Sequence, residues 1–71
     1  MKNLYALVSL DVDSQNGLFV NTQWFVQGKE NFKNKWSAYK FKPIWVEYFV
    51  QEYAPSGELV REHNLKEFLE E

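Results

Sequence analysis

The stretch LDVDSQNGLFV, residues 10–20, decides how the chain begins to fold. Apolar residues alternate on both sides of its polar centre, which is the period-two pattern of β-strands with one buried face. A two-residue turn would set apolar side chains against amides. A three-residue loop over 15–17 instead sets Val12 opposite Val20 and Val8 opposite Trp24. It also puts Gly17 at the left-handed position of a type I turn with a bulge. The sequence therefore predicts a hairpin closed by a three-residue loop.

The second half of the chain predicts another hairpin. Residues 44–53, IWVEYFVQEY, have the alternation and the β-branched and aromatic content of a strand, and ELVRE at 58–62 is the return strand. APSG, residues 54–57, is typical of the turn between them. Two antiparallel hairpins of similar plan are expected to join in one four-stranded sheet.

Helical periodicity follows each hairpin. Phe32, Trp36 and Tyr39 recur at i, i+4 and i+7, which favours an amphipathic helix over 30–39, although 36–41 also fits a strand. Near the end, Asn64 and Glu67 have the spacing of a capping box, and apolar residues that share one helical face follow Asn64. The prediction is one small α+β domain, 1–71, with the order ββαββα and both helices on one face of a four-stranded antiparallel sheet.

The sheet face opposite the helices is predicted to be an aromatic platform with acidic and amide groups between the rings. Its expected members are Tyr5, Leu7, Asp11, Phe19, Phe25, Trp45, Glu47, Phe49, Gln51, Tyr53, Leu59 and Arg61. Interface cores favour Trp, Tyr and Phe, and large exposed apolar patches on small proteins mark partner sites. We therefore expect protein binding through this face, centred on Trp45, Phe49, Tyr53, Glu47, Phe25, Phe19 and Asp11. Curling of the sheet would bury some of these rings within the chain itself.

Charge is unevenly distributed along the chain. Residues 24–46 carry five lysines against one glutamate, whereas residues 47–71 carry seven glutamates against one arginine and one lysine. Lysines interleaved with aromatic rings suit phosphate contacts combined with base stacking. The alternative prediction is thus a single-stranded nucleic-acid binder that uses Lys29, Lys33, Lys35, Trp36, Lys40 and Lys42. The absence of arginine from this segment and the overall charge of −2 argue against it.

The acidic stretch DVDSQNG fits no metal or catalytic pattern. Counted from Asp11, the sixth and twelfth positions of a calcium loop are Asn16 and Thr22, where glycine and a carboxylate are required. The chain has no cysteine and one histidine, so a zinc site of the usual spacing is excluded. A minor alternative is an enzyme that uses Asp11, Asp13 and His63. No nucleophile-elbow glycine pattern supports it, and we predict no enzyme activity, no cofactor and no metal.

The segment LDVDSQNGLF resembles the first-strand segment of isochorismatase-like cysteine hydrolases, whose opening aspartate is catalytic. The resemblance covers about ten residues of the chain. That family requires a cysteine nucleophile and a much longer doubly wound domain. The chain has neither, so the resemblance implies no activity here.

These observations predict a non-enzymatic protein-binding domain of the cytoplasm. No apolar run approaches the ~18 residues of a membrane span, and the first residues lack the pattern of a signal peptide. The expected partner is a second copy of the chain or another protein. By analogy of size and charge with small accessory proteins of mobile elements, the chain is expected to inhibit or modulate a basic, nucleic-acid-handling protein.

Overall fold

The fold follows the predicted order of hairpin, helix, hairpin, helix. A computed structural model describes residues 2–13, 15, 17–39 and 47–70, with the backbone alone at 12 and 13. Its elements are β1 (Leu4–Asp13), β2 (Gly17–Gln27), α1 (Lys29–Ala38), β3 (Glu47–Tyr53), β4 (Leu59–Asn64) and α2 (Leu65–Glu70). The strands form one antiparallel sheet in the order β2-β1-β3-β4. The predicted α+β architecture is confirmed; strand residues 44–46 lie outside the described part of the chain.

The first hairpin closes as predicted, but its register differs. Asp13 pairs with Gly17, and Leu10 pairs with Val20. Pairing thus begins one residue earlier on each strand than expected, which moves the partners of Val8 to Asp13 by two residues and makes the predicted Val12–Val20 pair wrong. Gly17 does adopt a positive φ of 80°. Because glycine has no Cβ, it tolerates this conformation inside the first pair of the ladder and pairing extends to the loop.

A bulge in β2 then changes which side chains share a face. Val8 pairs with Thr22, whereas Leu7 pairs with Trp24, so Gln23 is the extra residue. Beyond the bulge, Trp24 and Val26 share the face of Leu7. The predicted pairing of Val8 with Trp24 is therefore wrong, because a single inserted residue reverses the alternation.

The core lies between the sheet and the two helices. Leu7, Phe32, Val50 and Phe68 are fully or almost fully buried, and the rings of Phe32 and Phe68 meet edge to face with centroids 5.0 Å apart. Leu7 pairs with Val50 on the two central strands. Each hairpin-helix half thus contributes one strand residue and one helix phenylalanine. We call this side of the sheet the helix-covered face.

Both helices have the apolar faces expected from their periodicity, and α1 begins and ends one residue before the predicted 30–39. Trp36 and Tyr39 pack against the core together with buried Phe32. The backbone N–H of Glu67 donates to Asn64 Oδ1 at 3.2 Å, which is the predicted N-cap of α2. Phe68 of α2 is buried and Leu65 and Leu69 pack beside it, so one face of this short helix is held on the sheet.

The assignment of side chains to the two faces needs correction. Because Leu7 pairs with Val50, odd-numbered residues of β1 share a face with even-numbered residues of β3. Five residues were predicted to lie opposite the helices but lie on the helix-covered face: Tyr5, Leu7, Asp11, Phe19 and Arg61. Those correctly placed on the opposite side, the open face, are Phe25, Glu47, Phe49, Gln51, Tyr53 and Leu59.

Candidate functional site

The open face has a closed floor and an exposed rim. Ala6 and Val8 of β1 form the floor and are buried, although neither described helix lies on this side. Val8 faces Thr22 on β2 and Phe49 on β3 across the sheet. Side chains of the neighbouring strands therefore flank the floor, and the exposed ones form the rim.

An apolar groove lies on this face beside the first residues of β1. It has a volume of about 410 Å³ and is lined by Leu4, Ala6, Thr22, Phe25, Tyr53 and Gly57. Phe25 is 66% exposed, so its ring stands above the floor as one wall. The hydroxyl of Tyr53 on the opposite wall donates to Gln51 Oε1 at 2.6 Å. This open-face groove offers a partner apolar walls with a fixed polar border.

The charge of the open face has one sign. Among the described strand residues, this face carries Glu47 and Glu62 and neither lysine nor arginine. Gln51 Nε2 donates to Glu62 Oε2 at 3.0 Å, which holds that carboxylate beside the groove border. A basic segment would be attracted here, because no described strand residue on this face offers these carboxylates a cation.

The structure brings together four of the residues predicted for protein binding and separates two. Phe25, Glu47, Phe49 and Tyr53 share the open face. Phe19 and Asp11 are opposite each other on the helix-covered face, and Trp45 lies outside the described residues. On that face, Asp11 Oδ2 accepts hydrogen bonds from Asn21 Nδ2 at 2.9 Å and from Ser9 Oγ at 3.3 Å.

The described rings of the lysine-aromatic segment, residues 29–42, pack against the core. Trp36 is half-buried, with ring centroids 6.2 Å from Tyr39 and 5.7 Å from Tyr48. Lys29 Nζ lies 5.1 Å from the centroid of the Phe68 ring, and Lys35 Nζ lies 5.5 Å from the Trp24 ring. Base stacking needs open ring faces, and the described rings of α1 pack against the core instead. Lys40 and Lys42 lie outside the described residues.

A basic cleft at the start of α1 was not predicted. It has a volume of about 610 Å³ and is lined by Lys2, Asn3, Tyr5, Gly28, Lys29, Glu30 and Lys33. Lys2 reaches the cleft because the backbone N–H of Gly28 donates to the carbonyl of Asn3 at 2.9 Å and ties the two segments together. The basic character of Lys29 and Lys33 was read from the sequence, but the contribution of Lys2 depends on strand pairing.

A second unpredicted feature is the network around Glu52 on the helix-covered face. Its carboxylate accepts a hydrogen bond from Asn3 at 2.6 Å and lies 2.8 Å from His63 Nε2 and 3.9 Å from Arg61 Nε. Burial alone would raise the pKa of Glu52. The hydrogen bonds from Asn3 and His63 and the charges of His63 and Arg61 outweigh it, so the pKa lies below its usual value.

This network bears on the catalytic alternative. His63 bonds to Glu52, whereas Asp11 bonds to Ser9 and Asn21. The predicted trio of His63, Asp11 and Asp13 therefore divides between separate polar networks, with the side chain of Asp13 outside the described part. Within the described residues, no group of three or more His, Cys, Asp or Glu side chains is placed to hold a metal ion.

Across the described part of the chain, no helix has the length and apolar character needed to cross a membrane. Comparison of the sequence and structure with protein-family models, curated proteins and solved structures finds no match.

Proposed function

We propose that this chain is a non-enzymatic domain that binds a basic protein partner through its open face. The observation that carries the proposal is the open-face groove, an apolar depression on a face whose described strand residues bear glutamates and no cation. Such a face suits an aliphatic or aromatic anchor side chain flanked by lysine or arginine.

The energetics of the groove favour an anchored contact. Phe25 leaves most of its ring in water, and covering such a ring releases free energy in proportion to its apolar area. Most of the binding energy of an interface comes from a few buried anchors surrounded by a polar rim. The Tyr53–Gln51–Glu62 chain of hydrogen bonds provides such a rim beside the groove.

The proposed partner is a nucleic-acid-handling protein, which the domain inhibits or modulates. Proteins that bind phosphate backbones display clusters of lysine and arginine. Glu47 and Glu62 would attract the same cluster, so the open face would compete with nucleic acid for it. The proposal rests on charge and shape alone.

Capture from cell lysate tests the proposal. The intact chain is immobilised, the lysate is treated with nuclease, and bound proteins are identified by mass spectrometry. Phe25→Ala is expected to reduce retention of basic proteins more than tenfold, the scale of a lost anchor. Phe19→Ala, the matched substitution on the helix-covered face, should leave retention unchanged.

The outcomes separate the proposal from its alternative. Equal capture by both variants would show that the open face does not bind the partner. Capture that occurs only in a parallel sample without nuclease would favour the alternative, nucleic-acid binding through the lysine-aromatic segment of residues 29–42.

A further inference from the structure

The two edges of the sheet differ in length and charge. The β4 edge has six residues and includes Arg61, Glu62 and His63. The β2 edge has eleven residues and no charged side chain. Natural edge strands are usually kept from pairing by shortness, charge or a covering element. The β4 edge has the first two of these protections, whereas β2 has neither.

Exposed apolar side chains are concentrated on the same strand. Among the described residues, the large apolar side chains classed as exposed all lie on the two edge strands. Those on β2 are Leu18, Phe19, Val20 and Phe25. The central strands β1 and β3 contribute none within that part of the chain. An uncharged edge with exposed apolar residues is a template for pairing with another strand.

The first half of β2, residues 17–22, is the accessible part, and we call it the outer segment. Every residue in it is exposed, whereas Trp24 and Val26 in the second half pack against the core. Within the described residues, neither helix buries a side chain of the outer segment.

We infer that the outer segment pairs antiparallel with the outer segment of a second copy of this chain. A two-fold axis at Val20 sets Val20 opposite Val20 of the second copy and Leu18 opposite Thr22. The register ends before Gln23, because the bulge there reverses the alternation of side chains. The product is one eight-stranded sheet whose outer edges are the short, charged β4 strands.

The lack of charge in the outer segment makes a second copy of the chain a suitable partner for it. Pairing a strand with itself sets like residues near like, which penalises charged strands, and the outer segment has no charge. A two-fold axis perpendicular to the sheet keeps both open faces on one side and both helix pairs on the other, so the helices do not obstruct pairing. The contact is isologous and closes at two copies.

The size of the domain gives a reason for association. A chain of 71 residues supports only a small core, and this one has no cysteine with which to add a disulfide. Oligomerisation is a common source of additional stability in domains of this size. Strand pairing at β2 would satisfy the backbone groups of an otherwise open edge.

A single introduced cysteine tests the register directly. In an antiparallel ladder, opposed Cα atoms are roughly 4.5–5.5 Å apart, within the range that a disulfide spans. Val20→Cys is expected to form a covalent dimer under mild oxidation. Val60→Cys, on the β4 edge and also exposed, should remain monomeric on a non-reducing gel. Equal cross-linking of both variants, or none at Val20, would overturn the register.

Sedimentation analysis of the unmodified protein and two lysine variants tests association itself. The intact chain is expected to be dimeric, and Val20→Lys should raise its dissociation constant roughly tenfold by opposing two ammonium groups at the axis. Val60→Lys should leave it unchanged. A monomeric intact chain, or equal effects of both variants, would overturn the inference. Phe25→Ala, which tests the proposed function, should remain dimeric, so the two proposals fail separately.

Discussion

The two faces of the sheet are built from the same strands but differ in how they are covered. Four consecutive residues of β1, Ala6 to Ser9, are buried, so this central strand is enclosed on both sides. On the helix-covered face, the aromatic side chains of α1 and α2 close over Leu7 and Val50. On the open face, Ala6 and Val8 are buried although neither described helix lies over them, and the apolar rim stays accessible.

This difference shows that apolar content alone does not define a core. Phe32 and Phe25 are residues of one type, yet the first is fully buried and the second is mostly exposed. The helices provide partner atoms for Phe32 on one side, whereas neither described helix covers Phe25 on the open face. The same side chain thus fills the core on one face and remains accessible to solvent on the other.

The largest expected effect compares phenylalanines on the two faces. Phe32→Ala should reduce the free energy of unfolding by about 3–5 kcal/mol, because it removes a ring from the middle of the core. Domains this small have little stability to spare, so this variant should be largely unfolded. Phe25→Ala should change stability by about 0.5 kcal/mol or less. Urea denaturation followed by circular dichroism measures both, and similar losses would refute the distinction between the faces.

Most of the architecture was predictable because each element has a strong local signal. The helical spacing of Phe32, Trp36 and Tyr39 predicted both ends of α1 to within one residue, and Asn64 marked the start of α2. The positive φ of Gly17 agrees with its place beside the loop. Local sequence determines these features, so tertiary contacts did not change them.

The assignment of faces failed because β1 is apolar in both of its alternating sets. Period-two reasoning selects a buried face only when the other face is polar, and Leu7 and Val8 are both fully buried. The pairing of Leu7 with Val50 and the bulge at Gln23 then decide the faces. Both depend on contacts between strands that no single segment encodes. For the same reason, the predicted face was correct for Phe25 and Phe49 and wrong for Phe19 and Asp11.

A smaller effect is expected from the network around Glu52 on the helix-covered face. The pKa of Glu52 is lowered, so its charged form stabilises the fold. This contribution is fully present above the usual glutamate pKa of 4.5 and is lost as pH falls through the lower folded value. Glu52→Gln should lower the melting temperature at neutral pH and flatten the fall of melting temperature on acidification.

Glu58→Gln is the matched control, because Glu58 lies exposed in the turn before β4. Its melting temperature should follow the unmodified chain throughout the acid titration. If Glu52→Gln retains the full acid-dependent loss, the stabilising carboxylate lies elsewhere in the chain.

The smallest effect concerns how α2 is held on the helix-covered face. Asn64 ends β4, where its backbone pairs with Phe49, and its side chain caps α2 by accepting the N–H of Glu67. Asn64→Ala should cost about 1 kcal/mol in denaturant unfolding, and Asn64→Asp, which keeps the acceptor, should cost less. A six-residue helix has little stability of its own, so the cap matters only while Phe68 is packed. Equal stability of the two variants would show that packing of Phe68, rather than the cap, fixes the start of α2.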